Sequence, residues 1–394
     1  MTTSNGTSDS GLLDAARRDY LKTLTNDTQV IESLFDYCQN RFDISAVPDD
    51  FQLPMADEPH LEDWRQIAAR AGDEPFETLR ECMVQLRVPV REGISSTPEY
   101  AAAVRRGQAF SEETFDGTLT LRSPGQLRFF IHEHGAGALP VFTTPDRVDF
   151  ELLYQALVER HEPVPLNVSV NAQLISGSIN WYRVMQYRNR WFVANPGANW
   201  GAEMKRVAAE ERWRFYDRFM LLGEEDYSSV RSEELGLHLS EDDWLEKSTV
   251  FRLEHEFMHY TTKRMFDSMN LNLFDETFCD WVGMMCAMGR YRVHWFLAFL
   301  GIDKDGSLRD DGRFRAYSKE LDEAAQTILA QMMVRVAVNL ETLTERYLEN
   351  GNHLRFALTL TQMTLELIAC DDHCEHFERA SAAMEPLLAR AGTA

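Results

Sequence analysis

The segment His255-Glu256-Phe257-Met258-His259 has the pattern HExxH, with two histidines four residues apart and a glutamate beside the first. Residues i and i+4 of an α-helix lie on the same face, so the two histidines can present their imidazoles to one metal ion. Glu256 projects beside them, where its carboxylate can reach a water molecule bound to that metal. These residue types at this spacing therefore predict a metal site that activates water.

A second pattern, Glu276-Thr277-Phe278-Cys279-Asp280, follows after sixteen intervening residues. Glu276 is predicted as the third metal ligand. Asp280 lies one turn further along the same helix face, where it can hold a ligand histidine by its other ring nitrogen. Apolar residues surround both patterns, and titratable groups in such surroundings are costly unless they are paired or metal-bound. Two imidazoles, one carboxylate and an open fourth position are the ligand set that suits zinc.

The paired HExxH and ExxxD patterns resemble the site of the gluzincin branch of zinc metallopeptidases, over residues 240–290. The resemblance implies that the two histidines and Glu276 bind Zn²⁺, that Glu256 is the general base and that Asp280 supports a ligand histidine. It also implies a zinc-dependent hydrolase, a peptidase or amidase, acting on a peptide or small amide substrate. In such an enzyme zinc polarises the scissile carbonyl, and the glutamate moves a proton from water to the leaving amine.

Hydrolases of this type need a tyrosine or histidine beside the carbonyl oxygen that becomes negatively charged. Three residues near the two patterns are candidates for this role: Tyr260, Tyr291 and His294. The sequence does not choose among them.

Two other functions compete with hydrolysis. Glu256 and His259 also form an ExxH pair, the spacing used by helical-bundle iron oxidases and oxygenases. Such sites need a second ExxH, which this sequence lacks. The third hypothesis is a non-catalytic protein with a structural zinc, whose four positions are filled by protein ligands that usually include cysteine. Cys279 lies beside Glu276 on the same predicted helix.

Two further histidine-containing clusters have simpler explanations. Residues 370–376 hold two cysteines and two histidines, but their spacing differs from that of a zinc finger, and we predict a junction between two C-terminal helices. Residues 132–134, His-Glu-His, are predicted to lie in a surface loop. The sequence contains no P-loop, no GxGxxG fingerprint and no GxSxG nucleophile pattern.

Composition limits the partners and the compartment. The net charge of −23 argues against nucleic acid and against anionic membranes, because both attract cationic surfaces. The first ten residues lack the cationic start and apolar run of a secretory signal, and no apolar stretch is long enough to span a bilayer. We therefore expect a cytoplasmic protein whose six cysteines are reduced.

The pattern of elements predicts an α+β fold that is mostly helical. We expect a disordered tail (1–10), a helical N-terminal region (11–115), a mixed α/β region (116–235) and a helical metal-site domain (236–394). Ser240 is predicted to begin the HExxH helix, and residues 274–288 to form the helix that follows it. Short strands are predicted from alternation and β-prone composition at 118–122, 126–131, 139–142, 166–175 and 219–222.

Overall fold

The computed structural model describes residues 6–48, 50–168, 170–269, 272–310, 312–348 and 351–390. The fold is α+β and mostly helical, as predicted. The helices in chain order are α1 (Gly6–Leu24), α2 (Thr28–Tyr37), α3 (Leu61–Ala71), α4 (Pro75–Cys82), α5 (Pro98–Tyr100), α6 (Arg147–Leu157), α7 (Trp181–Ala194), α8 (Trp200–Glu210), α9 (Glu241–Phe266), α10 (Leu273–Met288), α11 (Val293–Leu300), α12 (Arg313–Tyr317), α13 (Glu323–Tyr347), α14 (His353–Leu360), α15 (Leu365–Ala369) and α16 (His373–Arg390). The strands are β1 (Arg128–His132), β2 (Leu139–Thr144), β3 (Ala172–Ile179) and β4 (Tyr216–Gly223). None of these helices is both long enough and apolar enough to cross a membrane.

The chain forms two compact units, one made of Met1–Leu53 and Asp226–Ala394 and the other of Pro54–Glu225. The second division lies close to the boundary predicted at 235. The first falls inside the region 11–115 that was predicted as a single helical region. The earliest helices belong with the C-terminal ones because, for example, Arg17 of α1 forms a buried ion pair of 3.0 Å with Glu366 of α15.

The second unit is built on a four-stranded sheet in the order β1-β2-β4-β3. The strands β1 and β2 pair antiparallel, β2 and β4 pair parallel, and β3 pairs antiparallel with β4. Trp64 of α3 packs against Phe142 and Phe219, whose rings lie on neighbouring strands. The strands predicted at 126–131, 139–142 and 219–222 are confirmed by β1, β2 and β4.

Three predictions about local structure need correction. Residues 118–122 form no strand and pair with none of the described strands. Their alternating pattern arises because the side chains of Leu119 and Leu121 are buried in the hydrophobic core. The strand predicted at 166–175 begins only at Ala172 and runs to Ile179. Of the predicted disordered tail, residues 1–5 lie outside the described residues, and residues 6–10 belong to α1.

The first unit contains an antiparallel pair of helices, α9 and α10. Ser240 caps α9 as predicted, since its Oγ accepts a hydrogen bond from the backbone N–H of Asp243. Asn272 caps α10, since its Oδ1 accepts from the N–H groups of Phe274 and Asp275. The two helices therefore begin within one residue of their predicted positions.

The close approach of α9 and α10 depends on Gly283. A Cβ atom built on Gly283 would lie 2.5 Å from Cδ1 of Phe251 and 2.7 Å from the Phe251 carbonyl oxygen. Only glycine leaves room for this packing. From this point the contacts step one turn at a time along both helices, first to His255 with Asp280 and then to His259 with Glu276. The glycine thus sets the register that brings the two sequence patterns together.

Candidate metal centre

The patterns HExxH and ExxxD meet in the interior of the first unit. The Nε2 atoms of His255 and His259 lie 3.1 Å apart. The Glu276 carboxylate lies 3.4 Å from each, through Oε2 to His255 and through Oε1 to His259. All three side chains are buried. The three predicted metal ligands therefore form a compact triangle of donor atoms.

The size of this triangle fits zinc. A tetrahedral zinc ion with ligands at about 2.1 Å separates any two ligand atoms by about 3.4 Å. The two Nε2 atoms lie 3.1 Å apart, and each lies 3.4 Å from one oxygen of the Glu276 carboxylate, Oε2 for His255 and Oε1 for His259. These separations are close to that value. Two buried imidazole nitrogens that face each other also need a cation or a proton between them, because otherwise their lone pairs repel. These three side chains could therefore hold one metal ion.

Carboxylates hold both histidines by their Nδ1 atoms. Nδ1 of His255 lies 2.8 Å from Oδ1 of Asp280, and Nδ1 of His259 lies 3.2 Å from Oδ2 of Asp275. A carboxylate at Nδ1 fixes the imidazole tautomer and turns the Nε2 lone pair toward the metal. Asp280 was predicted for this position. Asp275 was missed, although its place beside Glu276 at the start of α10 was visible in the sequence.

Tyr227 and Arg313 complete the surroundings of Asp280. The Tyr227 hydroxyl donates to Oδ1 of Asp280 over 2.6 Å and accepts from Nη1 of Arg313 over 3.0 Å. Nη2 of Arg313 donates to Oε2 of Glu276 over 2.6 Å, which leaves Oε1 as the oxygen available to a metal. Both residues lie far from the two patterns in the sequence, and neither carried a recognisable signal there.

The turn that carries Tyr227 is strained. Ser228 and Ser229, the next two residues, have positive φ angles of 55° and 56°. Non-glycine residues rarely adopt such angles, and they persist where the surrounding structure holds them. Here the Ser228 hydroxyl accepts from Nη1 of Arg313 over 3.1 Å, so the turn is tied to the same guanidinium that contacts Asp280.

The charges of the cluster support one another. Burial disfavours the imidazolium, but Glu276 and Asp280 outweigh it and raise the pKa of His255 above its ordinary value. Burial likewise disfavours ionised carboxylates, yet His255 lowers the pKa of Glu276, and Arg313 together with His255 lowers the pKa of Asp280. The carboxylates are therefore held in their anionic form, which is the form that binds a cation.

Glu256 differs from the ligands in its exposure. It follows His255 on α9 and is half-buried, whereas the two histidines and Glu276 are each at most 4% exposed. It belongs to none of the close groups of potential metal ligands found among the described residues. This placement is consistent with a carboxylate that stands beside the metal ligands.

A second group of donors overlaps the first. Sγ of Cys279 lies 3.5 Å from Nδ1 of His259, on the ring edge that also faces Asp275. These three residues could together hold a cation on the opposite side of the His259 ring. One imidazole cannot have Nδ1 both protonated toward Asp275 and bound to a metal, so this group competes with the carboxylate support described above.

The three residues predicted as oxyanion stabilisers have the following positions. Tyr260 is buried and packs edge-on against Phe257. Tyr291 is buried and its ring contacts Phe296. His294 is exposed, with Nε2 lying 3.3 Å from the Leu235 carbonyl oxygen. The structure does not bring these residues together, and their role stays a prediction.

Tyr317 of α12 is a further aromatic residue near the cluster that the sequence did not suggest. The guanidinium carbon of Arg313 lies 5.6 Å from the centroid of its ring. Burial and the negative charge of Glu276 raise the pKa of Tyr317 above the ordinary tyrosine value. Its hydroxyl is therefore protonated at neutral pH and can donate a hydrogen bond.

Of the two other histidine clusters, residues 370–376 lie at the predicted helix junction, whereas His132 ends strand β1 and residues 133 and 134 follow it in a loop. Residues 370–376 span the junction of α15 and α16, where Nδ1 of His373 lies 3.0 Å from the Cys370 carbonyl oxygen. In the segment 132–134, Glu133 is largely exposed and pairs with Arg65 over 2.8 Å. Neither cluster is among the groups of potential metal ligands that the described residues form.

Comparison with known proteins places the chain in a family. A family model described as a family of unknown function, DUF7005, matches residues 19–372, and the chain belongs to that family. No curated protein and no solved structure matches the chain.

Proposed function

We propose that this protein is a zinc-dependent hydrolase, a peptidase or amidase that uses Glu256 as its general base. The observation that carries the proposal is the buried group of His255, His259 and Glu276, whose imidazole nitrogens and carboxylate oxygens approach one another to between 3.1 and 3.4 Å, within reach of one metal ion. A zinc site with three protein ligands keeps one position open, and that arrangement is typical of catalytic zinc.

When bound, zinc would supply a Lewis acid that polarises a carbonyl group and lowers the pKa of water toward neutrality. Glu256 stands next to His255 on the helix and is half-buried, so its carboxylate can take a proton from water. The same carboxylate would then deliver that proton to the leaving amine. The separate place of Glu256 outside the ligand triangle supports this division of roles.

The remaining residues position the ligands. Asp280 and Asp275 hold the two imidazoles at Nδ1, and Arg313 holds Glu276 by Oε2. Tyr227 joins Asp280 to Arg313 through its hydroxyl. Each ligand therefore has its own polar support within a buried site, which is the condition for a preorganised metal centre.

The cysteine beside the cluster favours one alternative, a structural zinc. Cys279, Asp275 and Nδ1 of His259 lie within reach of a single ion. Cys279→Ser distinguishes the two, because a structural site would lose its metal whereas the proposed site would keep it. The iron oxidase alternative needs Glu256 as a ligand together with further carboxylates, and Glu256 stands apart from the donor groups of the described residues.

The proposed substrate follows from the chemistry of the site, and the proposed compartment from the composition of the chain. A peptide or small amide substrate fits the proposed chemistry. Nucleic acid and anionic membranes do not fit a chain with a net charge of −23. Six free cysteines fit a reducing compartment, and we propose that the protein acts in the cytoplasm.

Metal analysis of the purified protein tests the zinc site. We expect about one zinc ion per chain, and its loss in His255→Ala and in His259→Ala. His376→Ala is a matched control, since this half-buried histidine of α16 lies outside the donor groups. Two iron ions per chain would contradict the proposal and favour the oxidase.

A further inference from the structure

The first unit has a cavity of about 660 Å³ near the ends of α2 and α12. Tyr37 at the end of α2, Asn272 before α10 and Tyr317 at the end of α12 contribute to its wall. Cavities of 300–1,000 Å³ are typical of small-molecule sites. The Tyr317 ring lies 5.6 Å from the guanidinium carbon of Arg313, which itself donates to Glu276. Only one residue therefore separates the cavity wall from a predicted zinc ligand.

Internal hydrogen bonds hold this wall in place. The Tyr37 hydroxyl donates to the Tyr317 carbonyl oxygen over 3.1 Å and accepts from the backbone N–H of Leu273 over 3.1 Å. Nδ2 of Asn272 donates to the Tyr37 carbonyl oxygen over 3.1 Å. These bonds join α2, α10 and α12 at the cavity. A wall fixed in this way reduces the ordering that a ligand must impose when it binds.

The charged residues of the cavity are arranged differently. Arg41 and Lys319 contribute two cations, and Asp36 and Glu320 contribute two carboxylates. All four are exposed, and within the described part of the chain none of them forms an ion pair. Among the described residues, Arg41 and Lys319 thus form no ion pair, although the protein has a net charge of −23. The fixed wall thus carries equal numbers of available positive and negative groups.

We propose that this cavity binds a small zwitterion, a short peptide with a free ammonium and a free carboxylate group. Arg41 and Lys319 take the carboxylate, and Asp36 and Glu320 take the ammonium group. A purely anionic or cationic ligand would meet two repelling side chains, whereas a zwitterion satisfies all four. The volume admits a peptide of a few residues and excludes a folded polypeptide. This inference rests on the proposed function, since it names the class of substrate that the proposed hydrolase would bind next to its metal cluster.

Titration calorimetry on the full-length Glu256→Gln variant loaded with zinc tests the proposal without turnover. The probes are trialanine, N-acetyl-trialanine and trialanine amide. We expect trialanine to bind, and each blocked derivative to bind roughly ten-fold more weakly, because each lacks one charge-assisted contact. Equal affinity for all three probes would overturn the proposal.

Paired substitutions then assign the charges. Arg41→Ala with Lys319→Ala should weaken binding of trialanine about ten-fold and leave the binding of trialanine amide unchanged. Asp36→Ala with Glu320→Ala should show the mirror result with N-acetyl-trialanine. The control is Arg379→Ala with Lys304→Ala, which removes two exposed cations outside the cavity. If the control weakens binding as much as the Arg41 and Lys319 pair, the effect is one of net charge and the proposal fails.

The two proposals fail in different ways. If trialanine binds with the expected charge dependence but the wild type cleaves no peptide, the hydrolase assignment falls and the cavity assignment stands. If the wild type cleaves peptides with no preference for free termini, the hydrolase assignment stands and the cavity assignment falls. Thermal unfolding of each variant shows that lost binding does not reflect lost folding.

Discussion

Nδ1 of His255 lies 2.8 Å from Oδ1 of Asp280, across the contact between α9 and α10. The same imidazole turns its Nε2 toward His259 over 3.1 Å. The Nδ1 atom of this ring thus contacts a carboxylate, and its Nε2 atom is free to bind a cation. We propose that Asp280 supports the imidazole and that Glu276 binds the metal, and these two roles can be measured separately.

Substitution of the different carboxylates in the cluster should lower zinc affinity by different amounts. Glu276→Ala removes a ligand and should lower affinity the most. Asp280→Ala and Asp275→Ala each remove a support and should lower it roughly 10–100-fold. Competition with a chelator measures these affinities, and Glu246→Ala, an exposed position on α9, is the control. A greater loss in Asp280→Ala than in Glu276→Ala would mean that the two roles are reversed.

Replacing Arg313 by lysine, which keeps the positive charge, should lower zinc affinity. Its two Nη atoms donate to Glu276 and Asp280, and a lysine cannot reproduce this planar fork. Arg313→Lys should therefore lower zinc affinity roughly 10–100-fold, as loss of a ligand's support does. Arg315→Lys, two residues further along α12, should bind zinc like the wild type. Unchanged affinity in Arg313→Lys would show that Glu276 needs no such support.

The residues of the helix pair were predictable, and those that surround it were not. Local signals predicted α9, α10 and the residues that meet between them. These signals are the capping residue Ser240 and the spacings of the HExxH and ExxxD patterns. Tyr227 and Arg313 reach the site from separate segments, and a lone tyrosine or arginine has no spacing that marks it. The same limit explains the segment 118–122, whose alternation reflects burial in the core and carries no information about strand pairing.

Gly283 should be intolerant of even a methyl group. Its Cβ would meet the Phe251 ring at 2.5 Å and backbone at 2.7 Å, so Gly283→Ala must push α9 and α10 apart. We expect a loss of about 1–3 kcal/mol in the free energy of unfolding, despite the better helix propensity of alanine. Chemical denaturation measures this. Gly11→Ala in α1, with open space around the added methyl, should be neutral or stabilising by up to ~1 kcal/mol. Equal stability of the two variants would refute the proposed close approach.

His161 should make the second unit sensitive to acid. It is fully buried, its Nε2 lies 2.7 Å from the Gln85 carbonyl oxygen, and burial lowers its pKa to about 4. The unfolded state takes up a proton near pH 6.5, whereas the folded state does so only near pH 4. The free energy of unfolding therefore keeps its full value above pH 6.5 and falls by about 3 kcal/mol as the pH drops from 6.5 to 4. His161→Gln should show a shallower fall of unfolding free energy over this range in denaturant titrations. An identical fall in the variant would contradict the assignment.

The most direct test of the central claim compares the wild type with Glu256→Gln for zinc content and for hydrolysis of a peptide library. The substitution keeps the shape of the side chain and removes the base. We predict about one zinc ion per chain in both proteins, and a rate that falls roughly 10²–10⁴-fold in the variant, the contribution expected of a general base. Loss of zinc in Glu256→Gln would make Glu256 a ligand. A wild type that cleaves nothing, or a variant that cleaves as fast as the wild type, would contradict the account.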